Sequence, residues 1–284
     1  MLTFEKFMAE EFGELSEKLI TFARQAYPKF GNIVILAGGA GSGKGFVKDK
    51  LVGLEGYTFD VDDLKSLAAK APGIIKKVKA EFGDDLVALA GNLRNDKNVG
   101  RLHQLIGDEL RLDDKRMQAL YASILTAAPD RKPNIIFDVT LKDLEKLRKI
   151  ALQVQNLGYA PELTHILWVV NDIEVAQKQN AARDRIVPPE ILVNTHRGAA
   201  QTMLDIIDMG QTLKKYMDGD IVFAFNKVGV DSDLQKSGKG GSYVKTANYF
   251  YIKRSGMPVM ALDDINADIR RKIADYVPKN IEWI

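Results

Sequence analysis

Asn32-Ile33-Val34-Ile35-Leu36-Ala37, running straight into Gly38-Gly39-Ala40-Gly41-Ser42-Gly43-Lys44, is the stretch whose reading decides the fold. Uncharged and rich in β-branched residues, NIVILA reads as a short strand covered on both faces, the habit of a parallel sheet. The glycines end it, and Lys44 to Leu54 carries a helix away from them. Working outward, a second strand fits Tyr57 to Val61, and the chain turns helical from Lys65 to the breaker Pro72-Gly73. From about 72 to 128 the pattern is helical with interruptions and without a strand-like run. Asn134 to Val139 (NIIFDV) is a third buried strand, Leu141 to Leu157 a helix ended by Gly158, and Thr164 to Val170 (THILWVV) a fourth strand. A mostly helical stretch from 172 to 216, broken at Pro188-Pro189, leads to Ile221 to Phe225 (IVFAF). Strands alternating with helices predict an α/β three-layer sandwich around a mostly parallel sheet, with a helical insertion and substrate region over 66–130. Upstream, Phe4, Phe7, Met8, Phe12, Leu15, Leu19, Ile20 and Phe22 fall at helical spacing, so an N-terminal helix is expected within 1–30. After 228 a C-terminal extension over 228–284 begins, with SGKGGS as a loop, NYFYIK as a strand and a final helix.

Composition narrows the classes. The 284 residues are 46% hydrophobic and 27% charged, near globular averages, which disfavours a disordered or fibrous chain. Length alone allows one large α/β domain or two smaller ones; the alternation above favours a single domain over 1–284. Forty basic against 38 acidic residues leave +2, too balanced for a general nucleic-acid binder. Absent cysteine excludes disulfides, Cys-zinc sites and thiol nucleophiles. His103, His165 and His196 lie too far apart for a metal-ligand spacing. The opening MLTFEKFMAEEFGEL is acidic and amphipathic, unlike a secretory signal, and no run approaches the roughly 18 apolar residues of a membrane span. A cytoplasmic protein without a membrane partner is expected.

Gly38 to Lys44 matches G-x-x-x-x-G-K, the P-loop pattern, in the setting the motif needs between a strand and a helix. Phosphate oxygens require several N–H donors converging on one concavity. Glycines permit the backbone angles and the close approach, and the following helix adds its positive end. The fold class is thus the P-loop NTPase type. Gly38, Gly39, Ala40, Gly41, Ser42, Gly43, Lys44, Gly45 and Phe46 are the expected binding residues for ATP or GTP, with Lys44 neutralising the β- and γ-phosphates. Gly45 and Phe46 stand where P-loops carry the Ser or Thr that holds Mg²⁺, so another group must hold the metal.

Asp60, Asp62 and Lys65 follow the second strand at the edge where open α/β sheets bind ligands. A hydroxyl acceptor needs a carboxylate to take its proton, which makes Asp62 the candidate base, with Asp60 and Lys65 as substrate contacts. An acidic start to the next helix, with Asp62 or Asp63 as cap, is the plainer reading of the same residues. NIIFD ends on Asp138, the strand-plus-acid form that holds Mg²⁺; Thr140 and Lys142 follow within reach of the substrate. Asp138 as a helix cap is the competing reading.

GGAGSGKG, then Asp60-x-Asp62-x-x-Lys65, then a strand ending Asp138-Val139-Thr140-Leu141-Lys142, resembles the zeta toxin group of P-loop kinases. The resemblance implies transfer of the γ-phosphoryl group of ATP or GTP to a hydroxyl, with Asp62 in the position of the catalytic base. In that family an Arg three residues before a Pro contacts the nucleotide phosphates, and Arg185, ahead of Pro188, occupies that place with Arg183 beside it. An arginine fork on a lid stabilises the charge spread over the transferring group. His196 and Arg197 read as surface or lid-packing groups, His103 and His165 as structural. Lys236, Lys239, Lys245, Lys253 and Arg254 interleave with Tyr243, Tyr249, Phe250 and Tyr251, a pattern that suits a nucleotide, a single strand or an ordinary edge strand. Asn226 and Lys227 would flank the base.

These residues point to a kinase acting on a small, phosphorylated or nucleotide-like hydroxyl compound. A nucleotide or polynucleotide kinase and a catalytically silent ATP-binding regulatory module, the latter suggested by Gly45 and Phe46, are the alternatives.

Overall fold

The computed structural model describes residues 20–25, 28–181, 186–225, 232–236 and 242–278, the stretch 232–248 as backbone alone. The strands are β1 (Ile33–Ala37), β2 (Tyr57–Phe59), β3 (Ile135–Asp138), β4 (Thr164–Val170), β5 (Ile221–Phe225), β6 (Ser232–Lys236) and β7 (Ser242–Lys253). They form one sheet in the order β2-β3-β1-β4-β5-β7-β6. The first five in that row run parallel, while β7 pairs antiparallel with β5 and β6 with β7.

The apolar strands separate their alternate residues onto two faces. Ile33, Ile35, Phe137, Trp168 and Phe223 join one core, beneath α6 (Leu112–Leu125), α7 (Leu144–Asn156), α9 (Pro189–Asp208) and α10 (Ala267–Tyr276). Val34, Leu36, Ile136, Leu167 and Val222 join another with Val47 and Leu51 of α1 (Lys44–Leu51). Helices therefore cover both faces of a mostly parallel sheet. Between β2 and β3 lie α2 (Val61–Ala68), α3 (Pro72–Phe82), α4 (Leu86–Gly91), α5 (Asp96–His103) and α6, with a π-helical turn at Gln104–Glu109. Ala68, Val78, Leu86, Leu102, Leu105, Ile106 and Leu110 form a third core there, apart from the sheet. Arg101 pins it outside, donating to Asp84 at 2.6 Å and to Glu109 at 2.6 Å.

The expected N-terminal helix does not reach residue 25. Residues 1–19, 26 and 27 lie outside the described residues, but Ile20 bridges Val52 in parallel and Phe22 bridges Gln25 across a tight turn with Ala23 and Arg24 at positive φ. Ile20 and Phe22, two apart, both face the second core, which is strand and not helix periodicity. The second strand also ends sooner than expected, at Phe59, because Asp60 caps a helix that begins at Val61 rather than Lys65.

Two buried asparagines close the amino end of the sheet. Asn134 accepts from the Asn32 N–H at 2.9 Å and donates to the carbonyls of Pro28 (2.7 Å) and Glu55 (2.9 Å). His165 accepts from the Asp220 N–H at 2.9 Å and lies 3.1 Å from Asn32 Oδ1; burial lowers its pKa despite the Asp220 carboxylate 3.2 Å away, so we assign it the neutral, structural form. Asn134→Ala should cost about 2–4 kcal/mol in urea unfolding, since it leaves buried partners unsatisfied; an unchanged midpoint would contradict this account of the edge.

Candidate active site

Register places the chemistry-bearing residues together. Leu36 of β1 pairs with Asp138, and Phe59 of β2 with Phe137, so Asp60, Asp138 and the loop after Ala37 emerge side by side from three adjacent strands. Asp138 ends β3 with its side chain 14% exposed, and Lys44 Nζ lies 3.7 Å from it. Burial raises the Asp138 pKa above the ordinary carboxylate value; the Lys44 charge opposes the shift, and Asp60 and Asp62 add to it. Those influences put Asp60, Asp62, Lys44 and Lys48 within electrostatic reach of one carboxyl.

Asp60 accepts from the Asp62 N–H at 2.8 Å as the cap of α2. Asp62 itself is half exposed and pairs at 3.2 Å with Lys65, whose ammonium is nearly buried. Lys65 thus grips the candidate base, a role its sequence assignment as a substrate contact did not include. The Thr140 carbonyl accepts from Gly38 N at 3.2 Å. Leu141, buried, turns through φ 50°, and Lys142 is exposed beyond it.

The glycine loop curls with Gly38, Gly41 and Gly43 at positive φ, and Gly43 caps α1 in the left-handed conformation. Lys44 Nζ donates to the Gly38 carbonyl at 3.0 Å. The loop is braced from outside by groups the sequence did not single out for it. Thr195 accepts from Ala40 N at 3.1 Å, His196 Nε2 donates to Ala40 O at 2.8 Å, and Asn171 donates to Gly41 O at 3.2 Å. His196 is 5% exposed, a correction to its reading as a surface or lid group. A Cβ on Gly39 would stand 2.1 Å from the His196 ring, so only glycine fits there. Further along α9, Gly198 packs on the Lys142 backbone, with its ideal Cβ 3.0 Å from Lys142 O. No spacing in the sequence marks these contacts, because they are made between distant segments.

Ser42 is buried within the loop, and Phe46 packs on the second core instead of facing the phosphate site. Gly45 is exposed, and a Cβ there meets nothing within 4 Å. Among the described residues no cluster of three or more His, Asp or Glu forms a ready-made metal site. Asp138 nonetheless suits Mg²⁺, which commonly takes one or two carboxylates and leaves its other positions to phosphate and water.

Arg183 and Arg185, and the Asn226-Lys227 pair, lie outside the described residues. Both flanks of the arginine segment are anchored: Asn180 donates to Val187 O at 2.7 Å and accepts from Val187 N at 2.9 Å, and Ile186 N donates to Leu93 O at 3.3 Å. In the basic, aromatic stretch, Lys253 is 3% exposed and pairs with Asp218 at 2.6 Å, while Tyr251 bonds the Thr21 backbone and Arg254 lies over its ring. Lys253 and Tyr251 thus serve the sheet, while the side chains of Lys236, Lys239, Tyr243 and Lys245 lie outside the described residues.

Residues 111–223 match the Zeta toxin family model. The chain is zeta-toxin-like over that span, which takes in Asp138, β4 and α9; the glycine loop and Asp62 precede it. The order β2-β3-β1-β4-β5 with a glycine loop after β1 is the α/β three-layer arrangement of the P-loop NTPase type. Among solved structures, the AvrRxo1-ORF1:-ORF2 complex with ATP is 12% identical over 89% of this chain, with a TM-score of 0.49, and this chain spans 66% of that protein's length. The PezAT toxin–antitoxin system of Streptococcus pneumoniae is 15% identical, covering 78% of this chain and 77% of that one at a TM-score of 0.39. TT1252 from Thermus thermophilus is 19% identical, covering 71% and 92% at 0.36. No curated protein matches the chain by sequence. No described helix is long and apolar enough to cross a membrane.

Burial lowers the His196 pKa, with the hydrogen bond to Ala40 opposing and the Lys44 charge adding to the shift. The unfolded chain gains its proton at about 6.5, whereas the folded chain resists it to lower pH. This contribution to stability is therefore full above that value and is lost as pH falls through it. His165 acts with the same sign. Thermal unfolding of the native chain should shift downward between about pH 7.5 and 5.5, and His196→Asn should remove part of that dependence.

Proposed function

We propose that this chain is an ATP-dependent kinase that transfers the γ-phosphoryl group to a hydroxyl of a small molecule, with GTP as the other possible donor. The observation that carries the reading is the meeting of Lys44, Asp138 and Asp62 at one sheet edge beside a glycine loop shaped for phosphate. In this mechanism the loop from Gly38 to Phe46 binds the polyphosphate through backbone N–H groups, and Lys44 leaves its own loop carbonyls to meet the β- and γ-oxygens. Asp138 would hold Mg²⁺, which when bound would supply charge neutralisation on the phosphate oxygens. The acceptor hydroxyl gives its proton to Asp62 as its oxygen forms a bond to the γ-phosphorus. The bond from that phosphorus to the bridging oxygen breaks, and the electron pair departs on ADP. Asp60 steadies the start of α2, Lys65 orients Asp62, and Thr140 and Lys142 flank the transferring group. Arg185, assisted by Arg183, neutralises charge on it from the lid.

Asp62→Asn separates binding from chemistry. It should bind ATP in calorimetry as the native chain does while transfer falls about 10²–10⁴-fold; full transfer by this variant would remove Asp62 as the base. ATP bound tightly with neither hydrolysis nor transfer at saturating Mg²⁺ would instead support a silent regulatory module, the reading that Gly45 favours.

Because space beside Gly45 is open, the missing hydroxyl can be restored. Gly45→Thr should lower the Mg²⁺ concentration giving half-maximal ATP turnover, measured by titrating the metal at fixed ATP. An unchanged requirement would mean that Asp138 and its surroundings already complete the metal site.

A further inference from the structure

A cleft of about 440 Å³ opens between α2 and the pair α4–α5, and Asp62 stands at its mouth. We propose that this cleft is the acceptor site, and that it takes a neutral alcohol with a compact apolar or flat ring body and rejects anionic acceptors. The inference rests on the kinase reading, and it departs from the phosphorylated acceptor that the sequence suggests.

Location comes first. Asp62 lines the cleft from the first turn of α2, which follows β2 directly, and β2 pairs with β3, the strand that ends on Asp138. The cleft is assembled from residues 62–102, ahead of the span that matches the zeta toxin model, so its chemistry belongs to this chain's own helical segment.

The lining sets the class. Ala69, Val87, Ala90, Leu93, Val99 and Leu102 give the cleft an apolar lining on which a ring can lie. The α2 side adds the Ser66 hydroxyl, two acids, Asp62 and Asp63, and two bases, Lys65 and Lys70. Lys65 pairs with Asp62 at 3.2 Å with its side chain 8% exposed, so an acceptor phosphate could take it only by dismantling the pair that orients the base. An anion moved out of water needs a cation to match it, and among the described residues that line the cleft two acids already match two bases. A neutral body makes no such demand.

The walls are held independently of any ligand. Asp85 caps α4 through the N–H groups of Val87 and Ala88, Leu86 and Leu102 root the wall in the third core, and Arg101 clamps Asp84 and Glu109 behind it. Leu93, on the cleft, also accepts from the Ile186 N–H, which ties the acceptor wall to the start of the chain leading into α9.

Matched acceptors test this: uridine against uridine monophosphate, and 2-phenylethanol against 4-(2-hydroxyethyl)benzoate, with phosphorylated product followed by phosphorus NMR and ATP binding by calorimetry. The neutral member of each pair should have a kcat/KM at least about tenfold higher. Ala90→Phe, which fills the cleft, should raise KM for the neutral acceptors about tenfold or more while the Kd for ATP stays within about twofold. Should that variant fold poorly, saturation-transfer NMR on the native chain provides the same reading, with 2-phenylethanol receiving magnetisation and the benzoate not. Preference for the anionic members, or neutral acceptors indifferent to Ala90→Phe in a folded protein, overturns the inference and leaves the kinase standing. A chain that binds no ATP overturns the kinase reading and this inference with it.

Discussion

Ala40 is gripped from both sides of its peptide by successive residues of one helix, Thr195 taking the N–H and His196 the carbonyl. That double contact is the constraint on which the rest of the site depends. A glycine loop by itself pays a large conformational entropy cost to hold any one shape. Here α9 sets the shape before a ligand arrives, and Asn171 secures the next carbonyl. The closeness of the support explains why residue 39 has no side chain: the His196 ring occupies the space. The same helix packs Gly198 against Lys142, so the phosphate loop and the loop after β3 share one support.

Around that loop, charge is distributed unevenly among the carboxylates. Asp138 is sunk at the end of β3, where burial raises its pKa and the Lys44 and Lys48 charges work against the shift. Asp62 is half in water and paired with a buried lysine, which holds it in place. Asp60 is spent on capping a helix. Three acids that look alike in a sequence thus have different environments: one suits a metal, one a proton, and one holds the backbone in place.

The helical segment between β2 and β3 has a core of its own and a guanidinium clamp on its outside, and α6 ties it to the sheet through Ile124 in the first core. It touches the catalytic edge through α2, whose cap is Asp60 and whose first turn presents Asp62. Whatever the segment holds is thereby delivered beside the phosphate loop.

The sequence by itself determined the class of fold and the phosphate loop, because both depend on local patterns. NIVILA can only be a doubly covered strand, the spacing of Gly38 to Lys44 can be read without knowing what surrounds it, and Asp62 and Asp138 are visible as acids at strand ends. Local pattern misled at Ile20 and Phe22, whose burial is won by a bridge to Val52 and not by helix packing, and at the second strand, which Asp60 ends early. Only the tertiary structure decided that His196 braces the loop, that Lys65 belongs to Asp62, that Lys253 and Tyr251 are bound into the sheet, and that a partly apolar cleft opens beside Asp62. Each of these depends on which distant side chains share a desolvated space, and no interval along the chain encodes that sharing.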